Sequence, residues 1–211
     1  MKRILCILIG ICLVFGLSSC GGPADEEIVP VIEGLLAKSA IVNEICFGEG
    51  LETYDGGVSI GAYQEASAAA FTRYGIKNTA DIREKVGEVY SKETCDWIYT
   101  VILQAVMVDS GVQSYARYYD YEIKDENGNV QKTVLMVNEN YDPLTVGRAE
   151  YRNISIQESR KDRVVFTVDV AVTYQEKTQV YEDEEYIIRL EDGAWKLGTA
   201  TYATFDTTEQ K

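Results

Sequence analysis

The chain has 211 residues, 46% of them hydrophobic and 26% charged, with 34 acidic against 20 basic side chains and a formal charge of −14. That balance suits a folded globular protein, offers no basic footprint for nucleic acid and gives no electrostatic attraction to anionic lipid headgroups. Histidine is absent, which excludes Ser-His-Asp and Cys-His nucleophile pairs and the usual His-containing zinc sites. No EF-hand-like spacing of Asp and Asn closed by Glu occurs, so neither a metal nor another cofactor is expected.

In chain order, Met1-Lys2-Arg3 is a positive start, and Ile4–Leu17 is an apolar run of 14 residues. As a helix it would reach about 21 Å, short of the roughly 30 Å of a bilayer core. A secretion signal fits better than a permanent span. Leu17-Ser18-Ser19-Cys20 follows directly. An aliphatic residue, two small residues and a Cys resemble the lipobox of bacterial lipoproteins. The resemblance implies removal of residues 1–19 and diacylglyceryl (palmitate-type) lipidation of Cys20, which would hold the protein on the extracytoplasmic face of the cell membrane. Two acyl chains suffice for stable anchoring. Residues 20–27 then read as the lipidated Cys and a tether in which Gly21-Gly22-Pro23 is flexible. Without Lys2 and Arg3 the mature chain has 34 acids against 18 bases, so lipid rather than charge must keep it at the membrane. The two other mature cysteines, Cys46 and Cys95, read as buried thiols in preference to a disulfide.

Asp25–Phe47 carries apolar residues at helical spacing, from Ile28, Val31 and Ile32 to Ile45 and Cys46. Pro30 belongs in a first turn, which places the helix start near Val29, and Gly48-Glu49-Gly50 ends it. Leu51–Lys77 is the least readable stretch. Tyr54-Asp55-Gly56-Gly57 is a turn, and Ala62–Phe71 reads either as a short helix or as a loop covering the fold. Thr79–Tyr90, capped by Asn78 or Thr79, and Lys92–Val106, capped by Ser91, are the next helices. After the turn Asp109-Ser110-Gly111 the period changes to two. Strands are expected over Tyr115–Lys124 and Val130–Val137, joined at Asn127-Gly128, then over Gly147–Glu158. The clearest strand alternates Val164, Phe166, Val168, Val170, Val172 and Tyr174 with mixed residues. Tyr181–Leu190 and Trp195–Thr204 form a last hairpin around Asp192-Gly193. Helices first and an antiparallel meander after make an α+β fold, with N-terminal helices laid on a curved, mainly antiparallel sheet of about five to six strands.

This order resembles the NTF2-like (cystatin-like, cone-shaped) α+β fold found in many small surface lipoproteins of Gram-positive bacteria. The likeness is carried by the first helix with its ending Ile41–Leu51, by the helix pair Thr79–Gln104, and by the closing Leu190-Glu191-Asp192-Gly193-Ala194-Trp195-Lys196-Leu197. It implies one domain over residues 28–206, with 207–211 as a tail, and a pocket between the concave sheet face and the helices. It implies no activity.

The reading favoured is a non-catalytic ligand- or protein-binding domain, not an enzyme, with an envelope protein or a small molecule as partner. One alternative is an enzyme of the SnoaL or ketosteroid-isomerase kind, which needs a buried carboxylate base and a Tyr or protonated Asp as oxyanion donor. Asp120 and Asp169 are its strand-borne carboxylates, both expected to face solvent. A second alternative resembles secreted inhibitors of cell-wall endopeptidases. Tyr115, Tyr119 and Tyr121 share one expected strand face, with Tyr118 on the other. We read that face as packed under the helices with its hydroxyls at the edge, rather than as a glycan platform. Asn153-Ile154-Ser155 matches a glycosylation sequon, a coincidence in a bacterial protein.

Overall fold

The computed structural model describes residues 21–108, 111–141, 148–174 and 176–201. Residues 1–20, the expected turn at Asp109-Ser110 and the expected tail lie outside that set.

Helix α1 spans Asp25–Cys46, α2 Ala68–Tyr74, α3 Thr79–Val89 and α4 Lys92–Leu103. Pro30 sits inside α1 rather than in its first turn. The helix starts earlier than expected because Asp25, Glu26 and Glu27 place negative charge at its N-terminus, where the helix dipole favours it. Both expected caps of the next helices form. Asn78 and Asp81 make a reciprocal capping box on α3, and the Ser91 side chain accepts from the Thr94 N–H on α4. Helix α4 ends at Leu103, short of the expected Val106, because Val106–Val108 is a strand.

The ten strands are β1 Ser59–Ile60, β2 Tyr63–Glu65, β3 Val106–Val108, β4 Gly111–Ser114, β5 Tyr118–Lys124, β6 Val130–Asn138, β7 Arg148–Ser159, β8 Arg163–Tyr174, β9 Lys177–Glu191 and β10 Ala194–Leu197. They do not form the single sheet of five to six strands expected from the sequence. Two four-stranded antiparallel sheets, β1-β2-β6-β5 and β10-β9-β8-β7, stand beside a β3–β4 ribbon. The split arises in the stretch that was hardest to read. The short helix begins only at Ala68, while Tyr63–Glu65 is extended and, with β1 before it, adds two strands to the free side of β6.

The larger sheet follows the sequence pattern closely. Val164, Phe166, Val168, Val170 and Val172 are all buried on one face of β8, each contributing about 1.5–3 kcal/mol of hydrophobic stabilisation. They meet Ile28, Ile32, Leu35 and Leu36 of α1 in a common core. Three bulges interrupt this sheet, two on β7, between Arg152 and Ser155 and between Ile156 and Glu158, and one on β9 opposite Val168–Val170. Bulges bend strands and increase their twist. No helix among the described residues is long and apolar enough to cross a membrane.

Candidate functional site

The space between α1 and the larger sheet, where the resemblance implied a pocket, holds a buried polar network. Ser39 and Asn43 come from α1, Tyr90 from the α3–α4 junction, Tyr151 from β7 and Thr201 from the segment after β10. Tyr90 Oη donates to Asn43 Oδ1 at 2.9 Å and lies 3.0 Å from Thr201 Oγ1. Asn43 Nδ2 donates to Thr201 Oγ1 at 3.3 Å, Thr201 Oγ1 to Ser39 Oγ at 2.8 Å, and Ser39 Oγ to the Leu36 carbonyl at 2.8 Å. Tyr151 Oη donates to the Thr201 carbonyl at 3.0 Å. Burial pushes the Tyr90 phenol well above its ordinary range, so it stays protonated and keeps its donor. Tyr90, Asn43 and Ser39 each commit a proton to a single acceptor. The one proton of Thr201 must therefore choose between Ser39 and Tyr90.

A groove of about 800 Å³ opens next to this network. It exists because the chain leaves β9 after Gly198, whose N–H donates to the Ile187 carbonyl at 2.8 Å. From there it turns inward to the buried Thr201. Glu93 and Trp97 of α4 form one wall, and Glu184, Glu185, Tyr186 and Arg189 of β9 the other. Glu184 lies opposite Val168 on the core-facing side of the sheet, yet it is exposed. Three carboxylate residues thus line the groove with two aromatic ones, against a single guanidinium.

The two strand-borne aspartates do not meet there. Asp120 shares a face of β5 with Tyr118 and fastens the start of α3, accepting from Thr79 N at 2.9 Å and Thr79 Oγ1 at 2.7 Å. Asp169 lies on the outer face of β8, accepting from Asn153 Nδ2 at 2.7 Å and Asp183 N at 3.1 Å. These donors hold its carboxyl below the usual carboxylate value. The sequon residue Asn153 is thereby engaged within the sheet.

The tyrosines divide differently from the expectation. Strand β5 begins at Tyr118, so Tyr115 precedes it and is 61% exposed. The face packed against the helices is that of Tyr118, which is fully buried, donates to the Ile45 carbonyl at 2.7 Å and accepts from Leu51 N at 3.2 Å. Tyr119 and Tyr121 lie on the opposite face, edge-to-face with each other at 6.5 Å, and Tyr119 meets Tyr63 at 4.7 Å. They pair across the ladder with the buried Met136 and Val134.

Arg117, which the sequence did not single out, is only 3% exposed. Its Nη2 donates to the Gly48 carbonyl at 2.5 Å, just past the end of α1. Its guanidinium carbon lies 4.4 Å from the Tyr141 ring and 5.5 Å from the Tyr118 ring. Helix α1 has no basic residue in its last turn, so Arg117 supplies the cation that the negative end of the helix dipole favours. Gly50, at φ +80°, makes the approach possible: a Cβ there would collide with Arg117 Nη2 and lie 2.6 Å from Tyr118 Oη. That missing cation on α1 is the only trace of Arg117 in the sequence.

Cys46 and Cys95 are both buried free thiols, as expected in preference to a disulfide. Among the described residues no group of three or more His, Cys, Asp or Glu is placed to hold a metal ion. Cys20 lies outside the described residues. The tether that follows it is pinned where Ser159 Oγ donates to the Pro23 carbonyl at 2.8 Å, beside the β7–β8 turn. No family model matches the chain, and no curated protein is significantly similar to it.

Proposed function

We propose that the chain is a lipoprotein held on the extracytoplasmic face of the cell membrane by lipid on Cys20. We further propose that its α+β domain, of the NTF2-like kind, is a non-catalytic binding module for a positively charged ligand. The anchor reading rests on Leu17-Ser18-Ser19-Cys20 after a charged start and a 14-residue apolar run. The groove between α4 and β9 carries the binding reading. Its carboxylate residues Glu93, Glu184 and Glu185 line a space large enough for a small ligand or a peptide side chain, and the exposed Trp97 offers a ring face that attracts cations. Exposed carboxylates attract charge well, whereas proton transfer calls for a group desolvated against its substrate.

The two halves are tested separately. Mass spectrometry of the membrane fraction should find diacylglyceryl on Cys20, and Cys20→Ala should release the protein; a soluble, unmodified product would overturn the anchor. For the groove, calorimetry with a tetralysine peptide should show salt-dependent binding. Combined Glu93→Gln, Glu184→Gln and Glu185→Gln should weaken it at least tenfold. Equal binding by the triple variant would remove the groove from consideration.

A further inference from the structure

We propose that Arg117 is the receptor of a small oxyanion, of the carboxylate or phosphate class, at the C-terminal end of α1. Its role as a cation for that helix end uses one N–H, from Nη2 to the Gly48 carbonyl. Nε and Nη1 are buried and have no hydrogen-bond partner among the described residues. Unpaired N–H groups on a buried cation are costly. No ion pair among the described residues includes Arg117. The helix end offers roughly half an elementary charge, so among the described residues the guanidinium is short of both charge and acceptors.

The surroundings narrow the ligand class. Tyr141 and Tyr118 lie against the guanidinium face, while Nε and Nη1 have no acceptor among the described residues. Oxyanions bind a guanidinium in its plane, with short charge-assisted bonds. A halide brings charge but only a single point of contact. This site is separate from the acidic groove between α4 and β9, and it depends neither on that reading nor on the lipid anchor.

The test uses the full chain purified in detergent and three probes at matched ionic strength: sodium phosphate, sodium acetate and sodium chloride. The Arg117 Nε–H resonance, identified by its absence in Arg117→Lys, should shift saturably with phosphate or acetate and not with chloride. The larger of the two shifts identifies the class. Tm should rise over the same concentration range, and Arg117→Met should lose that rise. If Arg117→Met does not fold, the wild-type Nε–H titration decides alone. A resonance that ignores both oxyanions, or a Tm rise kept in full by Arg117→Met, overturns the proposal.

Discussion

The side-chain amide of Asn153 donates to the Asp169 carboxylate at 2.7 Å, from one bulged strand to the middle of its neighbour. The other Asp169 oxygen accepts from the backbone of Asp183, on the strand beyond. Asn153 and Asp183 have φ values of 57° and 55°, left-handed conformations that ordinary residues avoid. One carboxylate on β8 therefore holds a bulge on each flanking strand, and through them part of the bend of the sheet.

Asp169→Ala should consequently lower Tm at neutral pH while leaving secondary structure intact by circular dichroism. The effect must depend on pH. The folded-state pKa lies below the unfolded value, so the contribution is complete above the unfolded pKa, about 3.9 for Asp. It is lost as pH falls through the folded pKa. Melting curves of wild type and Asp169→Ala should converge on acidification. A gap that persists at low pH would show that the bulges do not depend on the ionised carboxylate.

Gly50→Ala combines a side chain at φ +80° with a collision against Arg117 and Tyr118. We expect a loss of about 1–3 kcal/mol in urea unfolding. Gly34→Ala in the open middle of α1, where a Cβ meets nothing within 4 Å, should instead gain up to about 1 kcal/mol.

The polar network makes an asymmetric prediction. Tyr90→Phe strips Asn43 Oδ1 of its donor and should cost about 1–3 kcal/mol. Ser39→Ala frees the Thr201 proton for Tyr90 Oη, 3.0 Å away, and should cost less than about 1 kcal/mol. Urea midpoints at unchanged m-value measure both. Equal costs would show that the Thr201 proton does not switch.

Burial pushes the Cys46 thiol up to about 12, and the thiolate is the reactive form. In the folded protein at pH 8, Cys46 should react with a disulfide reagent roughly a thousandfold more slowly than an ordinary Cys. It should label fully in guanidinium. Rapid labelling of the native protein would mean that the end of α1 opens locally.

The parts of the fold legible in the sequence are those whose signal is local. The alternation from Val164 to Val172 reports one buried sheet face, and Asn78 and Ser91 cap helices through their own side chains. The Leu51–Lys77 stretch was opaque because partners distant in sequence decide its structure: Tyr63–Glu65 is a strand only because β6 lies beside it. Alternation puts Tyr118 opposite Tyr119 and Tyr121, as it does in the structure, but which face meets the helices is decided by packing, and Tyr118 takes the core while Tyr115 precedes the strand. The acidic groove depends on where the chain departs from β9, and the seat of Arg117 on a helix more than seventy residues away in sequence. Neither leaves a periodic mark.

Helix α1 is 22 residues long, about 33 Å from end to end. Its first turn follows the tether pinned at the β7–β8 turn, and its last turn abuts Arg117 and the smaller sheet. Were the chain fastened through Cys20, as proposed, this helix would stand as a mast between the anchor and the smaller sheet. The field of a charged bilayer decays over about 8 Å at physiological ionic strength, so only the foot of the molecule, with Arg160, Lys161 and Arg163 at the β7–β8 turn, would stand within it.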